Sequence, residues 1–280
     1  MHIAPYDNEN KPIVDVGDDT VPLNYFNIIK LKKGDAFEYA IPGFETCIVP
    51  ATGSIDVDVE GFKADDLGGR VEDVWGGDPE GVYVPTAAKS TMVCTSETAE
   101  IFVAGAKYDK VLEAFAVRAN ELDLVQYGSD DTKTHRKIKH ILGQKQHDKV
   151  GRLLVSELFT VGEGGWSGFP SHKHDTDRLP IETRHDETYN FRFKPNHGSG
   201  VQMLQREDGK SGDAYHIVDG STICLDNGYH PCCVLPGYQM YYFTILAGLS
   251  QRSLVQFFQP SHESQIETIP GIKDMIAKFK

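Results

Sequence analysis

The segment Pro170-Ser171-His172-Lys173-His174-Asp175 carries two histidines one residue apart. In an extended strand, residues i and i+2 point to the same face, so His172 and His174 can present two imidazoles to one ion. Glu187 opens the run Glu187-Thr188-Tyr189-Asn190-Phe191-Arg192-Phe193 and shares its face with Tyr189, Phe191 and Phe193. A carboxylate left unpaired on such an apolar face would cost several kcal/mol, whereas a divalent cation compensates it directly. His230 follows Gly228-Tyr229 and precedes Pro231, which suits entry to a strand on the opposite wall. Three imidazoles and one carboxylate fit one divalent metal per chain. Zinc is the first choice and manganese, iron or nickel the alternatives, each with open positions for substrate oxygens.

Neighbouring residues have plainer readings. A lone histidine is more often packed or solvated than a ligand, and His185, His197 and His216 are read that way. Glu182 lies in a loop after Pro180 and competes with Glu187 as a carboxylate ligand. Its loop position makes it a substrate contact or a surface charge instead. Tyr241-Tyr242-Phe243 alternates across one strand, which gives core packing with one hydroxyl outside, or a hydroxyl that faces the metal and serves a substrate.

Strands must position these groups. Ile55, Val57 and Val59 interleave with Asp56, Asp58 and Glu60, the period-two pattern of a half-buried antiparallel strand. Similar runs at 81–85, 91–95, 100–104, 152–161, 187–193, 215–218 and 240–245 are separated by Gly, Pro, Asn and Asp clusters, as in sandwiches and barrels. Helical spacing is clear only at the end, where Ile272, Met275, Ile276 and Phe279 follow Pro270-Gly271. The 108–124 stretch reads as helix or extended chain, and the polar run 128–135 reads as a linker. The chain therefore divides into an N-terminal barrel without metal ligands (1–127), a linker (128–150) and a C-terminal metal-binding barrel (151–280). Gly81-Val82-Tyr83-Val84-Pro85 resembles Asn227-Gly228-Tyr229-His230-Pro231, with Val84 at the place of His230, so only the second barrel can hold a histidine site.

Composition narrows the function classes. A formal net charge of −13 disfavours nucleic acid and anionic lipid as partners. No apolar run approaches the roughly 18 residues of a membrane span, and Met-His-Ile-Ala-Pro-Tyr lacks the pattern of a signal peptide, so a cytoplasmic location is the expectation. Five cysteines, Cys47, Cys94, Cys224, Cys232 and Cys233, form no Cys-x-x-Cys pair and fit a reducing compartment. Exposed barrel edges are compatible with a homo-oligomer.

The sequence resembles the 5-deoxyglucuronate isomerase family of inositol catabolism, which is related to 5-keto-4-deoxyuronate isomerase. The resemblance is carried by residues 165–175, Asp186-Glu187-Thr188-Tyr189, Asn227-Gly228-Tyr229-His230-Pro231 and 236–242. Weaker matches are Leu67-Gly68-Gly69-Arg70, Val82-Tyr83-Val84-Pro85, and His135-Arg136-Lys137-Ile138 to His140-Ile141-Leu142. It implies an all-β bicupin, two tandem antiparallel barrels of the double-stranded β-helix type with a short C-terminal helix, and metal ligands at His172, His174, Glu187 and His230. Gly165 and Gly168 stand where the family often has Asn and Ser, and 252–265 lacks the usual tryptophans.

The resemblance further implies a metal-dependent aldose-ketose isomerase that converts 5-deoxy-D-glucuronate to 5-dehydro-2-deoxy-D-gluconate. Glu182, Tyr241 and Tyr242 are the candidate proton carriers. Lys173, Arg184 and Arg192 are the cations nearest the motif that could meet the carboxylate of a sugar-acid substrate. Alternatives are a cupin dioxygenase, since the same ligands hold Fe(II), an isomerase of another uronate, and a non-catalytic sugar-acid-binding bicupin.

Overall fold

The computed structural model describes residues 1–277. Every strand pairing among them is antiparallel, and the strands expected from alternation are present. Ile55, Val57 and Val59 lie within Phe44–Val59 and are buried, while the residues between them are partly exposed. This long strand pairs with Phe62–Arg70, Gly81–Val84, Ser90–Cys94 and Thr98–Lys107. The interior of this first assembly is apolar, built on Ile29, Ile48, Ile55, Leu67, Val82, Val84 and Met92.

The second assembly pairs a seven-stranded sheet with a four-stranded one. In the larger sheet, His185–Lys194 lies beside Gln239–Gly248, which lies beside Leu153–Thr160, then Arg136–Leu142 and Asp123–Tyr127. The smaller sheet contains Gly165–Ser167, Cys232–Val234, Ser199–Leu204 and Asp213–Val218. Tyr189, Phe191, Phe193, Met240 and Tyr242 face Leu204, Ile217, Cys232 and Val234 across the gap between them. The opposite face of the large sheet packs on the first assembly, where Val155, Phe159, Tyr241, Phe243 and Ile245 meet Phe26, Ile28, Val49 and Phe102. Both faces of the Gln239–Gly248 strand are thus covered.

Two buried carboxylates join the assemblies. Glu45 accepts hydrogen bonds from the backbone N–H groups of Gly151, Arg152 and Leu153 at 2.8, 2.5 and 2.8 Å, and from the Tyr83 hydroxyl at 2.6 Å. Glu157 accepts from Arg70 Nη1 at 2.8 and 2.9 Å and from the Tyr241 hydroxyl at 2.9 Å.

Of three local expectations, the linker changes, the open reading of 108–124 resolves to mostly extended chain and the C-terminal helix is present. The polar run 128–135 closes a hairpin, since Tyr127 pairs with Arg136 and Asp123 with His140, so Arg136–Leu142 is a strand rather than part of a linker. The 108–124 stretch forms the short strand Phe115–Val117, a 3₁₀ turn at Ala119–Glu121 and the start of Asp123–Tyr127. The C-terminal helix spans Ile272–Ala277 and buries Ile272 and Met275 against Tyr127 and Ile138, while Phe279 lies outside the described residues. We propose that the boundary between the two units falls near the Ala119–Glu121 turn, because the strands on either side of it join different sheets. No helix among the described residues is long and apolar enough to cross a membrane.

Candidate metal centre

His172 sits on the short strand His172–Lys173, held by pairing with Phe257–Phe258. His174 follows it, Glu187 lies on the inner face of His185–Lys194, and His230 immediately precedes Pro231 and the strand Cys232–Val234. These elements bring a nitrogen of each of the three histidines within 4.8 Å of one another, and this cluster can hold a metal ion. Glu187 Oε2 is 3.1 Å from His174 Nε2 and 3.3 Å from His230 Nε2.

The rings are locked from behind. Nδ1 of His172 lies 3.2 Å from Pro170 O, Nδ1 of His174 lies 3.0 Å from His185 O, and Nδ1 of His230 lies 2.8 Å from Gly228 O. A carbonyl oxygen only accepts, so each Nδ1 must carry the proton, and in the neutral ring Nε2 keeps its lone pair. Such outer hydrogen bonds fix tautomer and orientation in histidine metal sites. Nε2 of His230 is buried without a hydrogen-bond partner. A lone pair on His174 facing a carboxylate oxygen at 3.1 Å would be repulsive unless a proton or a cation lies between them.

Electrostatics agree. Burial, and then the neighbouring His230 and His174 rings, push the His172 pKa down to about 3, so the ring stays neutral. Burial would lower the His174 pKa, but the hydrogen bond and charge of Glu187 outweigh it and raise it. Burial would raise the Glu187 carboxyl, but the His174 and His230 rings hold it well below the usual carboxylate range. The donor set and its orphaned nitrogen fit a divalent ion.

The remaining sequence candidates are dispersed. Tyr242 borders the same cavity as His172, His174 and Glu187. Tyr241 points the other way, to Glu157, because adjacent strand residues face opposite sides. Arg192 also lies on the outer face, where Nη2 meets Glu100 Oε1 at 2.8 Å and Nη1 donates to Asn190 Oδ1 at 2.7 Å. Arg184 is partly exposed and 3.7 Å from Asp186 Oδ1. Lys173 turns away from the two ligands to Asp175, at 2.5 Å. His185 is a neighbour of the site, its Nε2 at 3.1 Å from Arg252 O.

Glu182 is fully buried, but both its oxygens are engaged. Oε1 accepts from the N–H groups of Asp175 and Thr176 at 2.8 and 3.3 Å, and Oε2 accepts from Arg178 Nε at 2.9 Å. It therefore braces the loop after His174. Glu182→Gln is expected to lower stability by about 2 kcal/mol, since it weakens charge-assisted bonds in a buried place, while metal stoichiometry and kcat stay within a few-fold of wild type. A 100-fold fall in kcat at full metal loading would instead restore Glu182 as a proton carrier.

The cavity beside the cluster has a volume of about 40 Å³, and its wall includes Ser156, Ser167, Tyr189, Tyr242, Gln256 and Met275. Gln256 Nε2 lies 2.9 Å from His172 Nε2, and Ser156 Oγ lies 2.8 Å from His140 Nδ1. The sequence reading missed Gln256, Ser156 and Ser167. Only alternation along Leu153–Thr160 could have pointed to Ser156, which shares a face with Leu154 and Leu158.

An antiparallel double assembly with a histidine cluster inside the second half defines a bicupin fold whose second half could hold a metal ion. The chain matches the KduI/IolB family over residues 2–265 and belongs to that family. It is 29% identical over 243 residues to a protein of Geobacillus kaustophilus named 5-deoxy-glucuronate isomerase, covering 86% of each chain. Among solved structures, an IolB-like protein from Salmonella typhimurium superposes with a TM-score of 0.79 at 25% identity, covering 86% of this chain and 89% of that one. A variant of Bacillus subtilis oxalate decarboxylase shares the fold with a TM-score of 0.60 at 10% identity, covering 92% and 79%.

Proposed function

We propose that this chain is a metal-dependent aldose-ketose isomerase that converts 5-deoxy-D-glucuronate to 5-dehydro-2-deoxy-D-gluconate in inositol catabolism. His172, His174, Glu187 and His230 would hold one divalent ion, with zinc the first choice. The observation that carries the reading is the cluster of three Nδ1-anchored imidazoles, two of them within 3.3 Å of the Glu187 carboxylate, in a chain of the KduI/IolB family.

The reaction moves one hydrogen from C2 to C1 and one from O2 to O1, so it needs no oxidant or reductant. Without a hydroxyl on C5 the substrate cannot close a six-membered ring, and only the five-membered hemiacetal through O4 competes with the open aldehyde. An ion held by these four residues would supply Lewis acidity toward the substrate's oxygens. The protein's own groups manage the protons. Burial keeps the Tyr242 phenol protonated well above neutral pH, despite the opposing pull of Arg136, so Tyr242 offers a hydrogen bond to a substrate oxygen and does not carry the proton between C1 and C2. Ser156 Oγ, backed by His140, is a wall hydroxyl whose partner can accept a proton. A cavity of about 40 Å³ holds a few waters and not a six-carbon acid, so substrate entry displaces part of the wall. Met275, unbranched and on a short terminal helix, is the side chain best suited to yield.

The test is turnover of 5-deoxy-D-glucuronate by zinc-loaded protein in deuterated water. We expect product formation with deuterium entering at C1. Complete retention of hydrogen would replace the enediol route with a hydride shift, and no turnover by metal-replete protein would overturn the isomerase reading.

A further inference from the structure

Arg136 is 1% exposed and makes no ion pair among the described residues. Its Nε donates to Phe159 O at 3.1 Å and its Nη2 to the Tyr242 hydroxyl at 3.2 Å, while Nη1 is buried with no partner. The other buried arginines differ. Arg70 is paired with Glu157, and Arg252 donates to three backbone carbonyls, those of Leu153, Leu142 and Gly143. The hydroxyls around Arg136 supply no compensating charge, because burial raises the pKa of Tyr127 and of Tyr242 even against the pull of the guanidinium. A buried cation without a counter-ion is costly, and here the missing partner is an anion.

The position of Arg136 indicates which anion. Tyr242, which receives its hydrogen bond, borders the metal cavity, as do Ser167 and Tyr127. Ser167 Oγ and the Tyr242 hydroxyl are hydrogen-bonded to each other. The cavity therefore runs from the histidine cluster at one end to a hydroxyl pair backed by a guanidinium at the other. Tyr189 separates the two ends, its ring centroid 4.6 Å from that of Tyr242 and 6.4 Å from that of His230.

We propose that Arg136, with the Tyr242 and Ser167 hydroxyls, is the carboxylate-binding end of this pocket and selects sugar acids over the corresponding neutral sugars. The proposal rests on the isomerase reading for the orientation of the substrate, with its aldehyde end at the metal and its acid end at Arg136. An arriving carboxylate turns an unpaired buried charge into a paired one, which concentrates binding energy on the acid group. Lys173, Arg184 and Arg192 are already engaged by carboxylates elsewhere.

The experiment compares zinc-loaded wild type with Arg136→Met, using 5-deoxy-D-glucuronate and its neutral counterpart 5-deoxy-D-glucose, which has CH₂OH in place of the carboxylate. Dissociation constants from thermal-shift titration and kcat/KM are measured for both. We expect wild type to prefer the acid by about 100-fold and Arg136→Met to lose that preference, with little change for the neutral sugar. Equal losses for both sugars would make Arg136 a structural residue and overturn the proposal, as would a wild-type protein that binds both sugars alike. If wild type binds the acid preferentially but turns over neither sugar, the isomerase reading fails and the carboxylate site stands. Should Arg136→Met not fold, Ser167→Ala is measured in the same way and must narrow the acid preference. An unchanged preference in that folded variant overturns the proposal.

Discussion

His174→Ala is expected to abolish stoichiometric metal binding and, with it, turnover. His174 is engaged at both ring nitrogens, with Nδ1 at 3.0 Å from the His185 carbonyl and Nε2 at 3.1 Å from Glu187. Its ring centroid is 4.9 Å from that of His230, so alanine removes a donor and also opens a gap beside a second one. Losing an outer-sphere partner of a metal ligand costs 10–100-fold in affinity, so removal of the ligand itself should weaken binding by more than about 100-fold. Stability provides a second readout. An ion present at 1,000 times its dissociation constant stabilises the folded state by about 4 kcal/mol, so added zinc should raise the unfolding midpoint of wild type and leave that of the variant almost unchanged. Chelator treatment of wild type should reproduce the variant's midpoint to within the cost of the missing ring. One zinc per chain retained in His174→Ala would remove His174 from the ligand set.

The cluster was legible because its parts obey local rules. His172 and His174 are two apart on extended chain, and Glu187 sits in phase with Tyr189, Phe191 and Phe193, which the structure places inside. The same phase rule, applied from Glu187, sends Arg192 to the outer face, where it meets Glu100. The choice between Tyr241 and Tyr242 was not legible. Every residue of Gln239–Gly248 after the first is buried, so the polar alternation that marks an inside and an outside is missing. The run 128–135 was equally open, since a polar Gly- and Asp-rich stretch serves a hairpin loop as well as a linker and only strand pairing decides. Arg136 stood in a motif of the family resemblance, yet its meaning depends on Tyr242, 106 residues away. A missing partner for a buried charge is visible only once the fold is assembled.

Glu157 presents the other large effect, and it concerns the joint between the two assemblies. It lies on the face of Leu153–Thr160 that also carries Val155 and Phe159, a carboxylate in an apolar layer, and it is fully buried. Arg70 comes from the Phe62–Arg70 strand of the first assembly and is 2% exposed. Burial alone would lower the Arg70 pKa, but Glu157 outweighs it and raises it, so the guanidinium is charged in the folded protein. Glu157→Ala leaves the Arg70 guanidinium buried beside a hydrocarbon layer and is expected to cost about 3–5 kcal/mol. For a chain of this size that corresponds to a fall of roughly 10 °C in the unfolding midpoint. Arg70→Met alone should cost a comparable amount, because the Glu157 carboxylate then keeps only the Tyr241 hydroxyl. The double variant Glu157→Leu with Arg70→Met replaces both charges by apolar groups of similar volume and should recover most of the loss, giving a large coupling energy in a double-mutant cycle. Additive losses in that cycle would mean that the two residues stabilise the joint independently. Metal stoichiometry should stay unchanged in every folded member of the cycle, because Glu157 and the histidine cluster lie on opposite faces of the same sheet.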